Sequence, residues 1–294
     1  MIELKNKKMK FLIMLFLLPA LLLYILFQIL PLAAGIFFSF MSWRGIAGSK
    51  LEFVGIQNYI QAFKNPEFIL SLKNMLKMVM FSVLFHTPVA IVLAAILHTK
   101  CKFYRLFKVL YFVPTIFPLT AVGLMWYFIF MPTGAFNKLL ENVGLSQITT
   151  SWLVNPATAM NTIVFVNIWV GIGYYMVILL AGMTTISEDI FEAAVIDGAS
   201  KIKSFFYIII PLLKSTISIC ILIDIIGSIK VFDLVFAITG GGTNRITNLP
   251  TTLMYNEAFK YSHYGLGSAV GVIILLICVA GSFLSNKAMI QKEE

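Results

Sequence analysis

The side chains able to hold a solute are few in this sequence, and they recur at helical spacing. Asn167, Val170, Gly171 and Tyr174 are offset by three, four and seven, so a helix puts them on one face. An amide can hydrogen-bond hydroxyls, a glycine leaves a notch for close approach, and a phenol ring can cover the C–H face of a sugar. The same glycine and amide equally suit a helix–helix packing face inside a membrane. Asp224, Gly227, Ser228 and Val231 repeat the spacing further along. There the carboxylate can accept two hydroxyl bonds or pair with a cation on another chain. Lys230 and Asp233, three apart, are placed to neutralise each other.

Nothing in the sequence supports covalent chemistry. There is no G-x-x-x-x-G-K-[ST] loop to cradle ATP phosphates, and neither H-E-x-x-H nor G-x-S-x-G occurs. The segment GGGTN lacks the following lysine. His86, His98 and His263 are scattered, and His86, beside Pro88, reads as a packed or kink-associated histidine rather than a base. Cys101, Cys220 and Cys278 are isolated, so neither a disulfide framework nor a zinc site is expected. No catalytic and no metal-binding residue is therefore assigned.

One connector has the marks of a built element. Residues 184–213 read TTISEDIFEAAVIDGASKIKSFFYIIIPLL. Thr185 and Glu188 form a capping-box pattern at a helix start, and Glu188 and Asp189 complement the helix dipole. Ile190, Phe191, Ala194 and Val195 make an apolar stripe. Gly198 supplies a stop, because glycine enters the left-handed conformation cheaply. Ser200 can cap a second helix that meets Pro211. The expected result is helix, tight turn, helix. Physical chemistry alone leaves open whether this is an interfacial anchor or a docking element.

The elements that must position these residues follow from composition. Of 294 residues, 60% are hydrophobic and 12% charged, against about 25% charged in soluble proteins. That charge cannot cover a soluble globule, and disorder needs the opposite balance. A bilayer is the natural solvent. Six stretches approach the roughly 20 apolar residues a crossing helix needs: 11–41, 75–98, 107–131, 160–183, 214–238 and 266–286. The first is too long for a signal-peptide core and is read as an uncleaved span. Lysines and arginines crowd the N-terminal tail, the loop 98–108, Lys201 with Lys203, and the C-terminal tail. This places both termini in the cytoplasm. The net charge of +9 is thus an orientation signal, not a nucleic-acid footprint. The expected fold is all-α and polytopic: a basic tail at 1–10, one transmembrane domain at 11–286 and a cytoplasmic tail at 287–294. No sequence repeat is evident.

EAAVIDGA followed by F-x-x-I-x-x-P-L-L closely resembles the EAA signature of permease subunits of bacterial ABC importers. Glu192, Ala193, Ala194, Asp197 and Gly198 match it position by position. FVGIQNYIQAF (53–63), YFVPTIFPLTAVGLMW (111–126) and KVFDLVFAITGGGT (230–243) resemble the maltose-type and multiple-sugar branch. The resemblance implies a type I importer permease fold in which 184–213 holds the coupling helix that docks on an ATPase subunit. It implies four kinds of partner: the lipid bilayer, a homologous second permease, a pair of ABC ATPases and an external solute-binding protein. ATP and magnesium would sit on the ATPases, with no cofactor in this chain. It further implies a bacterial plasma (inner) membrane location, alternating access, and a di- or oligosaccharide cargo. The V-N-x-W-x-G-x-x-Y face then carries sugar contact to Asn167, Gly171 and Tyr174, and the Asp224 face aligns with the second sugar-contacting face. Asp224 departs from the branch, which has small or neutral residues there. The alternative is a self-contained, ion-gradient-driven transporter using Asp224, Lys230 and Asp233 as a relay.

Overall fold

The computed structural model describes residues 7–99, 102–242 and 245–290. The tail lysine Lys5, Lys100, Cys101, Thr243 and the tail residues 291–294 lie outside the described residues. Among the described residues, five helical segments are long and apolar enough to cross a bilayer: Leu12–Ser39, Pro66–His98, Leu119–Asn142, Ala159–Met183 and Tyr264–Ser285. A sixth crossing is available from Lys201–Leu212 and Lys214–Ile229, which meet at 71°. The all-α, multi-pass expectation therefore holds, with one short antiparallel pair, Met41–Ser42 against Glu52–Phe53, outside the helices.

Three of the expected spans differ, two of them where proline explains it. The second starts at Pro66, not near 75, because Asn65 caps it: its side chain accepts from the Glu67 amide at 2.9 Å and Pro66 occupies the first turn. The third is broken into Tyr104–Ile116 and Leu119–Phe130. Phe117, ahead of Pro118, is held extended at φ −73°, ψ 145°. A turn then separates Phe130 from the helix Ala135–Asn142. The fifth stops at Ile229, and Asp233–Thr239 is a separate helix. Its approach contains a π turn at Phe205–Ile209, followed by Pro211, which has no amide to continue the ladder.

The chain divides into two compact units. One comprises residues 65–253 and 274–294. Its core packs the second span (Pro66–His98) on the fourth (Ala159–Met183) through Ala90, Ala94, Met176, Leu179 and Met183, all at most 5% exposed. Small residues let backbones close in. A Cβ on Gly173 would overlap the carbonyl of Tyr111, and one on Gly123 would lie 2.6 Å from the Ala237 methyl. The other unit comprises 1–64 and 254–273. There the Asn58 amide donates to the carbonyls of Ser39 and Met41, both at 2.9 Å, fixing the chain as it leaves the first span. Phe38, Trp43 and Tyr264 pack as an aromatic cluster beside it.

Candidate functional site

The loop 184–213 forms helix, turn, helix as expected, with one change at its start. Ser187, not Thr185, is the cap: its hydroxyl accepts from the Asp189 amide at 3.4 Å. Thr185 instead donates to the Gly182 carbonyl at 2.8 Å and so closes the preceding span. The helix runs Glu188–Ile196. Gly198, at φ +74°, ends it: its amide bonds the Val195 carbonyl at 3.1 Å and the Ala199 amide bonds Ala194 at 2.9 Å. This double bond pattern satisfies the last carbonyls and needs a left-handed residue. Ser200 then caps the next helix by accepting from Lys203 at 3.3 Å.

The apolar stripe is split. Phe191 and Ala194 turn inward, with Phe191 against the His98 ring at 5.5 Å, whereas Val195 and Ile196 are 72% and 84% exposed. Glu192, Ala193, Asp197 and Gly198 are also exposed. The motif residues therefore present an outward surface around one buried anchor, Ala194. A groove of about 760 Å³ runs between this helix and the last turns of the second span, lined by Ile96, His98, Phe191, Glu192, Val195 and Phe206 among others.

The second cluster lies inside the helix packing. Asp224 of the fifth span is 1% exposed and His86 of the second span 3%. His86 Nδ1 lies 2.8 Å from Asp224 Oδ1, and Ser228 Oγ donates to the same oxygen at 3.3 Å. His86 Nε2 lies 3.2 Å from the Asn167 carbonyl. Both ring nitrogens thus face oxygens that accept. Tyr175 stacks on the imidazole at 5.0 Å. The Asn167 amide donates to Ser82 Oγ at 2.9 Å, and Thr115 donates to the Val170 carbonyl at 3.0 Å.

These contacts sort the expected residues. Asp224, Ser228 and Val170 are buried; Gly171 lies under His86; Tyr174 and Gly227 are exposed; Asn167 and Val231 are half-buried. Asp224 is partnered within its own chain, by a histidine 138 residues away. Lys230 and Asp233 are both exposed, and no ion pair among the described residues joins them. Sequence reasoning left His86 out of the site. The available signal was Ser82 and His86, four apart on one apolar helix.

At the other end of this unit, the glycine segment is tied down. Asn74 donates to the carbonyls of Ile246 and Asn248, both at 2.9 Å, and Arg245 pairs with Glu67. Gly241, at φ +102°, leaves room for the Asn248 side chain. Asn74→Ala is expected to cost about 1–3 kcal/mol, because one buried and one half-buried carbonyl lose their donor. Limited proteolysis should then cut the 240–249 segment several times faster.

Comparison with known proteins places this geometry. Residues 86–288 match the family model of the binding-protein-dependent transport system inner membrane component. The "Probable ABC transporter permease protein YurN" of Bacillus subtilis is 32% identical, over 93% of this chain and 94% of that one. The arabinooligosaccharides transport system permease AraP of Bacillus subtilis is 30% identical over 93% and 87%. The multiple sugar-binding transport system permease MsmF of Streptococcus mutans is 29% identical over 92% and 93%. In fold, the chain superposes on a chain of the bacterial alginate ABC transporter in complex with an alginate pentasaccharide-bound periplasmic protein. The TM-score is 0.81, with 22% identity and 96% of each chain covered.

Proposed function

Because the chain belongs to the binding-protein-dependent transport system inner membrane components, it is a transport subunit, and we propose that it imports a di- or oligosaccharide across the bacterial plasma membrane. The cargoes named for AraP and MsmF support a sugar. In this reading an external solute-binding protein delivers the cargo and a homologous second permease completes the pathway. Two ATPase subunits, carrying ATP and magnesium, drive it from the cytoplasm. The family assignment sets aside the ion-gradient reading.

The observation that carries the reading is the exposed helix Glu188–Ile196 with its two-bond glycine stop. Its outward residues, Glu192, Ala193, Val195, Ile196 and Asp197, form a small surface with both acids and large apolar groups. Such a surface gains free energy when a partner covers it. Closure of an ATPase pair would carry this helix, and through the 71° joint at Leu213 the fifth span. The cargo passes along the side where Asn167, Tyr174, Gly227 and Val231 reach the surface. Val170, Gly171, Asp224 and Ser228 form the support behind that wall.

The test is ATP-dependent uptake in liposomes holding the chain with its native partners. The panel contains neutral di- to pentasaccharides and their uronic-acid counterparts. Uptake of a panel member, lost with Glu192→Ala/Val195→Lys, is expected; uptake by this chain alone would overturn the reading. Gly198→Ala forces a Cβ into the left-handed region at about 1–2 kcal/mol. It touches nothing, since no atom lies within 4 Å of that Cβ. Coupled uptake should fall about fivefold or more, with the ATPase retained less tightly on purification.

A further inference from the structure

We infer that His86 is the positioning residue of the cargo wall: its ring fills the Gly171 notch, and Asp224 holds it there. This deepens the wall proposed above and rests on it. A Cβ placed on Gly171 would lie 2.5 Å from His86 Nε2 and 2.8 Å from its Cε1. The glycine of the fourth span is therefore explained by an imidazole from the same chain, not by a sugar ring. That imidazole is held by three contacts. Nδ1 meets Asp224, Nε2 meets the Asn167 carbonyl, and one face is covered by Tyr175.

The second span does a further job one turn away. Ser82 takes the Asn167 Nδ2 donor, which leaves Oδ1 of that amide as the group able to accept from a cargo hydroxyl. Ser82 and His86 together thus set what the fourth span shows to the pathway. One orients the amide, and the other fills the space beside Gly171 from within the helix packing. Asp224 acts through His86 and, 1% exposed, does not itself face the cargo. Such a wall selects by shape and hydroxyl placement, without an acidic group to repel an anionic sugar.

The experiment is a cycle of Gly171→Ala, His86→Ala and the double variant in the full complex. Thermal unfolding is read first, and then uptake of the best-transported member of the saccharide panel. Gly171→Ala alone should lose at least tenfold in uptake and lower the unfolding midpoint. The double variant should recover at least to the level of His86→Ala, because the added methyl then occupies the vacated ring space. If Gly171→Ala prevents assembly, recovery of assembly in the double variant is the expected result. An equal defect in both backgrounds, or no defect in either, overturns the inference. His86→Ala should also raise the half-saturating cargo concentration more than it lowers the maximal rate. A change confined to the maximal rate would make His86 a packing residue only. Failure of the wall itself shows separately, as a Tyr174→Ala variant with unaltered uptake.

Discussion

Asp224→Ala is expected to lower the stability of the folded chain by about 3–5 kcal/mol. The variant strands a buried imidazole N–H and removes the acceptor of the Ser228 hydroxyl, both in a site shielded from water. Neither group can turn to solvent, so the loss approaches the full desolvation cost rather than the net value of a hydrogen bond. Asp224→Asn should be milder, since its amide oxygen still accepts from Nδ1. His86→Leu/Asp224→Leu should lose less than Asp224→Ala, because a pair removed together leaves no charge behind. Thermal unfolding of the purified chain in lipid nanodiscs orders the three variants. Equal losses for Asp224→Ala and the double variant would refute the pairing.

Gly173→Ala is expected to be comparably damaging for a different reason. Its Cβ meets the backbone carbonyl of Tyr111 and the Cα of Phe112, and backbone atoms have no rotamer into which to retreat. The helix Tyr104–Ile116 must move as a body. Overpacking costs about 1–3 kcal/mol where side chains can shift, and this contact belongs at or above the top of that range. The yield of intact complex should drop sharply. Gly182→Ala, whose Cβ would sit 3.0 Å from the side chains of Leu213 and Thr216 and meet no backbone atom among its nearest contacts, should cost less and serves as the control.

The contrast between those glycines explains what the sequence could disclose. Crossing helices were legible because hydropathy over 20 residues is a large, summed signal. The helix–turn–helix at 184–213 was legible because caps and the Gly198 stop are local chemistry. Choosing Thr185 over Ser187 as the cap failed at the scale of half a turn, where both hydroxyls satisfy the same rule. The bend at Leu213 was hidden, because a hydropathy window averages across it. The inward sorting of Asp224, Ser228 and Gly171 was not legible at all. Helical spacing gives a face but not its neighbour, and His86 is 138 residues from Asp224 in the chain. Glycine in the fourth span looked like room for a ligand, and the ring that fills it comes from elsewhere.

The contact between His86 and Asp224 has an electrical consequence. Moving one elementary charge through the membrane potential involves about 2.3 kcal/mol per 100 mV. A carboxylate on a fifth span that tilted alone would make each reorientation do such work. The 2.8 Å contact ties that carboxylate to the second span. The field across the bilayer therefore acts on the shared displacement of the two helices, not on the fifth span by itself.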